Sequence, residues 1–105
     1  MDYYGIKVPL NTNVTLCIKA IRKLLPLSIS DVKKRVETGE YLCTFSQVIT
    51  EEVDKAIEVY RALMDAGIDV QCFEHAECLE NDRPFSFDLL QNWSRTCHEI
   101  EEEDY

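Results

Sequence analysis

Apolar residues recur along this chain with two different periods, and the switches between periods mark out its elements. Tyr4 to Val8 is a short apolar run closed by Pro9, which fixes its own φ and removes a ladder donor, so it predicts a first strand. Asn11, Thr12 and Asn13 then offer side-chain oxygens to orphan amides, and Leu16, Ile18, Ile21, Leu24 and Leu25 follow at helical spacings. This predicts a helix over 13–25, ended by Pro26 because the residue before a proline is pushed from helical angles. A second helix restarts at Ser28 or Ser30, turns Val32 and Val36 inward and closes at Gly39.

Tyr41 to Phe45 is rich in aromatic and β-branched residues and too short for a helix, which makes it the second strand. Thr50, as a hydroxyl cap ahead of Glu51 and Glu52, opens a third helix that runs to Ala66. Val53, Ile57, Tyr60, Leu63 and Met64 form its expected inner face. Gly67 supplies a left-handed cap, and alternation over Ile68 to Cys72 gives a third strand with Cys72 facing the core. Residues 76–84 are polar, contain Asn81, Asp82 and Pro84, and read as a linker. Beyond it, Leu89, Leu90, Trp93, Cys97 and Ile100 recur in steps of three and four, predicting a helix over 85–100 ahead of an acidic tail. Trp93, with Phe85 and Phe87 nearby, is expected to be buried against a sheet face.

One domain of 105 residues with 46% hydrophobic content has enough apolar mass for a single core. The formal charge of -9 changes the picture of partners. It repels phosphate backbones and anionic lipid, and it favours a basic protein surface through long-range steering. Direct nucleic-acid and membrane partners are therefore not expected, and with no signal-like or membrane-spanning run the chain reads as cytoplasmic. Five cysteines, Cys17, Cys43, Cys72, Cys78 and Cys97, are irregularly spaced and sit mostly in apolar segments, which fits reduced thiols better than a disulfide framework.

Catalysis is not expected of a chain with only His75 and His98 and no phosphate-cradling glycine loop. Cys72, His75, Cys78, Cys97 and His98 are conceivable metal ligands, yet Cys-x2-His-x2-Cys is not a standard zinc spacing, so no metal or cofactor is expected.

Strand, two helices, strand, helix, strand is also the order of the C-terminal domain of the bacterial ribosomal stalk protein, the large-subunit protein numbered seven/twelve. "IKAIR" at 18–22 resembles that family's basic-apolar first helix, "SISDVKKRVE" at 28–37 is similar to its second, and "LMDAGIDVQC" at 63–72 to its capped third helix and closing strand. The resemblance covers about residues 3–73. It implies an α+β fold, β-α-α-β-α-β, with a three-stranded antiparallel sheet and three helices on one face. Residues 74–84 would be a linker and 85–100 an added helix on the other sheet face, before the acidic tail at 101–105. The family's first two helices recruit translational GTPases, and carried over position by position that surface would use Ile18, Lys19, Arg22 and Lys33. Val14, Thr15 and Pro26-Leu27-Ser28 depart from the family pattern.

Charge, size and the lack of catalytic groups lead to a protein-binding module, foremost a small acidic inhibitor of the bacterial immunity or antitoxin type that covers a basic nuclease. Its grip would come from Glu74, Glu77, Glu80 and Asp82 in the linker and Glu99, Glu101, Glu102, Glu103 and Asp104 at the end. The basic patch at Lys19, Arg22 and Lys23 would then be an inheritance of the fold. The alternative is a stalk-like docking module for a translational GTPase or ribosome-associated factor, acting through the first two helices.

Overall fold

The computed structural model describes residues 3–46, 48–76 and 80–103, the last three as backbone. Four strands and four helices follow in the order β1 (Tyr3–Lys7), α1 (Val14–Ile21), α2 (Ile29–Thr38), β2 (Cys43–Phe45), α3 (Thr50–Asp65), β3 (Gln71–His75), β4 (Arg83–Phe85) and α4 (Phe87–Glu103). The fold class is α+β, with one antiparallel sheet in the order β2-β1-β3-β4.

The expected three strands become four, because Arg83 and Pro84 of the supposed linker and Phe85, expected to open the last helix, pair with β3 in the register Cys72↔Phe85 and Glu74↔Arg83. Pro84 had argued against a strand, but at a sheet edge its missing donor interrupts no ladder. The third strand begins at Gln71 rather than Ile68, since its partner β1 stops at Lys7 ahead of Pro9. Ile68 and Val70 are buried as the alternation requires, outside the ladder. In β2 the ladder omits Tyr41 and Leu42, whose carbonyls accept from the Arg35 guanidinium at 3.2 Å.

Helix ends follow local chemistry. Asn13 caps α1 through its side chain, which accepts from the Leu16 amide. The helix stops at Ile21, short of the expected Leu25. The amides of Leu24 and Leu25 both turn back onto the Ile21 carbonyl at 3.0 Å, tightening the chain ahead of Pro26. Ser28 and Asp31 form a capping box on α2, and Gly39 closes it at φ +73°. Thr50 is the first residue of α3 rather than its cap; Ile49 holds the cap position without a side-chain bond.

The helical layer runs α2, α1, α3, α4, as the packing of α1 on both α2 and α3, and of α3 on α4, requires. Its core joins Ile6, Phe45 and Cys72 of the sheet to Cys17, Ile21, Val32, Val36, Val53, Ala56, Val59, Leu63 and Leu90 of the helices. On α3 the buried face therefore includes Ala56 and Val59, while Met64 is exposed. The added helix does not cover the opposite sheet face. Leu90 enters the same core, Phe87 stacks on Tyr60 of α3 at 4.2 Å, and half-buried Trp93 packs on Tyr4 and Phe85. The physical reason is that Tyr4 and Phe85 lie on the face of the sheet that α3 already covers, so apolar surface for α4 exists there. Leu89 and Ile100, expected inward, are exposed. Helix α4 continues through the acidic stretch to Glu103. Among the described residues no helix is long and apolar enough to cross a membrane.

Leu90→Ala removes a fully buried side chain at the joint between α4 and the core. Equilibrium urea unfolding should show a loss of about 2–5 kcal/mol. A loss below about 0.5 kcal/mol would mean that α4 contributes nothing to the core.

Candidate functional site

The two helices with the basic sequence form a groove. Six of the eleven Lys and Arg residues lie within 14–39, namely Lys19, Arg22, Lys23, Lys33, Lys34 and Arg35, against only Asp31 and Glu37 there. Residues 40–105 reverse this, with seventeen acids and four bases. Because α2 and α1 stand at one end of the helical layer and α4 at the other, the charge is separated across the molecule. At the basic end a cavity of about 200 Å3 opens between α1 and α2, walled by Ile18, Ile21, Leu25, Leu27, Ile29 and Val32, with Arg22 at its edge. Ile29 is 62% exposed and Leu16, nearby in sequence, 42% exposed. Lys19 precedes Arg22 by three residues and Lys33 follows Ile29 by four, which places each on the same helix face as a groove residue. Ile18 is half-buried; Lys19, Arg22 and Lys33 are exposed. The structure thus brings Ile18 and Arg22 to one cavity, while Lys19 and Lys33 are exposed on the same two helices and do not line it.

The acidic candidates do not converge in this way. Glu74 faces the helical layer, where Oε2 accepts from the Tyr4 hydroxyl at 3.0 Å and Oε1 from the Arg83 guanidinium. Asp82 is tied to the other sheet face, accepting from the Tyr41 hydroxyl and meeting His75 Nδ1 at 2.7 Å. Glu80 is exposed in the β3–β4 connection and Glu99 is exposed on α4. Glu101, Glu102 and Glu103 lie on the last turn of α4, and Glu77 and Asp104 fall outside the described residues.

That second sheet face carries a polar-aromatic layer which the sequence reading missed. Tyr3 stacks on His75 at 4.6 Å, Tyr41 leans on Tyr3 and Phe73, and the Lys7 ammonium sits 4.4 Å from the Phe73 ring centre. Gly5 is required beneath it, because a Cβ there would lie 2.5 Å from Tyr41 Cδ1. Tyr41 and Asp82 shift each other's titration in opposite directions. Burial first, and then the bond to Asp82, push the Tyr41 phenol above its ordinary range. The hydroxyl of Tyr41 and the His75 ring in turn hold the Asp82 carboxyl below its ordinary range. The alternation of odd and even positions was the available signal for this face: Tyr3, Gly5 and Lys7 on β1 against Phe73 and His75 on β3.

A second His-Asp pair joins α4 to α3. His98 Nε2 lies 2.9 Å from Asp54 Oδ2, and the Ser94 hydroxyl donates to Asp54 Oδ1 at 2.6 Å. The Ser94 hydroxyl therefore donates its hydrogen bond to the carboxylate rather than to the imidazole, which is not the geometry that activates a serine nucleophile. Cys72 and His75 point to opposite sheet faces and cannot share an ion. Among the described residues no three His, Cys, Asp or Glu side chains come together as a metal site. Burial pushes the thiols of Cys17 and Cys43 up to about 11 and that of Cys72 up to about 12, with Glu52 adding to the effect at Cys43 and Arg35 opposing it. At neutral pH these three are protonated packing groups; Cys78 lies outside the described residues.

Compared with known protein families, curated proteins and solved structures, the chain matches none.

The Asp82 clamp has a pH signature. A carboxyl held below its unfolded value of about 3.9 contributes stability that is complete above that value and is lost as pH falls through the folded pKa. Urea midpoints taken from pH 6 down to pH 2 should therefore fall more steeply for the wild-type chain than for Asp82→Asn. Parallel profiles would contradict the clamp.

Proposed function

We propose that this chain is a non-enzymatic protein-docking module whose α1–α2 groove receives an acidic segment bearing apolar anchors. The observation that carries the reading is the coincidence of an apolar cavity with the positively charged end of an otherwise acidic molecule. Ile18, Ile29 and Val32 offer burial to Leu-like or Ile-like side chains, and Lys19, Arg22 and Lys33 steer and orient the acids around them. The net charge works in the same sense, since the seventeen acids over 40–105, against four bases, disfavour an acidic partner over that part of the chain. The resemblance of residues 18–22 and 28–37 to the first two helices of the ribosomal stalk domain supports the same groove. On the stalk-like reading of the fold, the partner would be a translational GTPase or a ribosome-associated factor.

A second reading is favoured by the acidic remainder of the surface: an immunity-type inhibitor that covers a basic protein with Glu80, Glu99 and the acids at the end of α4. Glu74 and Asp82 could serve such a partner only by leaving the contacts they already make inside the fold.

Two helical peptides with the same leucine pattern, one glutamate-rich and one lysine-rich, separate these readings when titrated into the 15N-labelled chain. The glutamate-rich peptide should shift the amides of Ile18, Ile21, Arg22, Ile29 and Val32. Lys19→Glu combined with Arg22→Glu should weaken it about tenfold, and Ile29→Ala should weaken it while leaving stability within about 0.5 kcal/mol. Shifts confined to α4 with the lysine-rich peptide, and a silent groove, would replace the first reading by the second.

A further inference from the structure

A separate pocket lies at the opposite end of the helical layer, where α4 crosses the edge of the sheet. Its cavity of about 260 Å3 is lined by Tyr4, Glu74, Arg83, Phe85, Leu89 and Trp93. The three rings form one cluster: Tyr4 and Trp93 meet at 4.6 Å and 66°, Tyr4 and Phe85 at 5.6 Å and 89°, and Phe85 and Trp93 at 5.2 Å and 39°. Tyr4 also stacks on Phe45 at 5.8 Å and 29°, so the rings pack on one another and offer the hollow the aromatic surface that this packing leaves uncovered. One carboxylate borders it. Glu74 is only 22% exposed on its side chain, and the Tyr4 hydroxyl fixes its direction by donating to Oε2.

From this geometry we infer that the pocket binds a small quaternary ammonium group, with the aromatic walls meeting its methyls and Glu74 supplying the counter-charge. Aromatic faces attract a poorly hydrated cation through their quadrupole, the more strongly the further the site excludes water. A fixed, mostly buried carboxylate adds a charge complement that is weakly screened. The size agrees, because pockets for drug-sized ligands begin at about 300 Å3 and this one suits a single head group. An anion would meet Glu74 at the wall and the field of a molecule with charge -9 around it.

Arg83 is the resident cation. Its guanidinium reaches Glu74 Oε1 from the edge strand while its side chain remains 66% exposed. An ion pair with so open a partner is weak, so an incoming ammonium displaces it readily. Arg83 acts as a competitor that tunes affinity, and Glu74 as the selecting group.

The chain has one tryptophan, and it lines the pocket, so fluorescence of Trp93 reports occupancy directly. Titration with tetramethylammonium chloride, against sodium chloride at equal ionic strength, should give a saturable change. Arg83→Gln should tighten binding up to about fivefold, and Glu74→Gln, with its circular dichroism unchanged, should weaken it about tenfold or more. Choline and a short peptide carrying trimethyllysine then identify the source of the head group by whichever binds more tightly. The inference is overturned if neither the wild-type chain nor Arg83→Gln gives a saturable response, or if folded Glu74→Gln binds as the wild-type does. The peptide titration of the α1–α2 groove is independent of either result.

Discussion

Side-chain alternation along β1 sends Tyr4 and Ile6 into the helical layer and Tyr3, Gly5 and Lys7 to the other side, and the arrangement of the molecule follows from that division. β1 is a central strand that pairs with both β2 and β3, so its parity dictates theirs. Phe45, Cys43, Cys72 and Phe85 join the apolar face, while Thr44, Phe73 and Pro84 join the other. All four helices then seek the same face, and α4 takes the place that Tyr4 and Phe85 leave open beside α3. A one-residue slip of β1 would bring Gly5 into the core and set Ile6 against Tyr41.

Much of this was legible in the chain itself. The helical periods placed α1 to α4, the polar run Asn11 to Asn13 and the pair Ser28 or Ser30 marked two helix starts, of which the fold uses Asn13 and Ser28, and Gly39 and Gly67 marked the ends of α2 and α3. The fourth strand was hidden because Pro84 and the polar residues around it obey turn chemistry, and only a neighbouring strand made Arg83–Phe85 an edge. The side chosen by α4 was hidden for a related reason. Periodicity tells which face of a helix is apolar, but the surface it meets depends on register, and register was fixed by pairings between residues about seventy apart in sequence. The same distance concealed the site chemistry. Glu74 and Asp82 looked like two acids of one solvated linker, yet strand parity sends one to the aromatic cluster under α4 and the other to Tyr41 and His75.

The charge of the chain acquires a direction once the helices are ordered. Its basic helices flank an apolar groove at one end of the layer, and an acidic helix stands at the other, over a pocket lined by three aromatic rings with Glu74, Arg83 and Leu89. Such a molecule presents different chemistry at each end, with the core residues Ile6, Val53 and Leu63 holding the ends at a fixed separation. The basic run near the front of the chain shares its end of the layer with exposed Ile29 and Leu16.

The claim on which the account rests is that the helices share one sheet face and leave the other to Tyr3, Tyr41, Phe73 and His75. Nuclear Overhauser contacts of the Trp93 indole in solution test it most directly. The account predicts contacts from Trp93 to the rings of Tyr4 and Phe85, with Phe87 in contact with Tyr60. Contacts from Trp93 to Tyr3 or Phe73 would place α4 on the opposite face and contradict it.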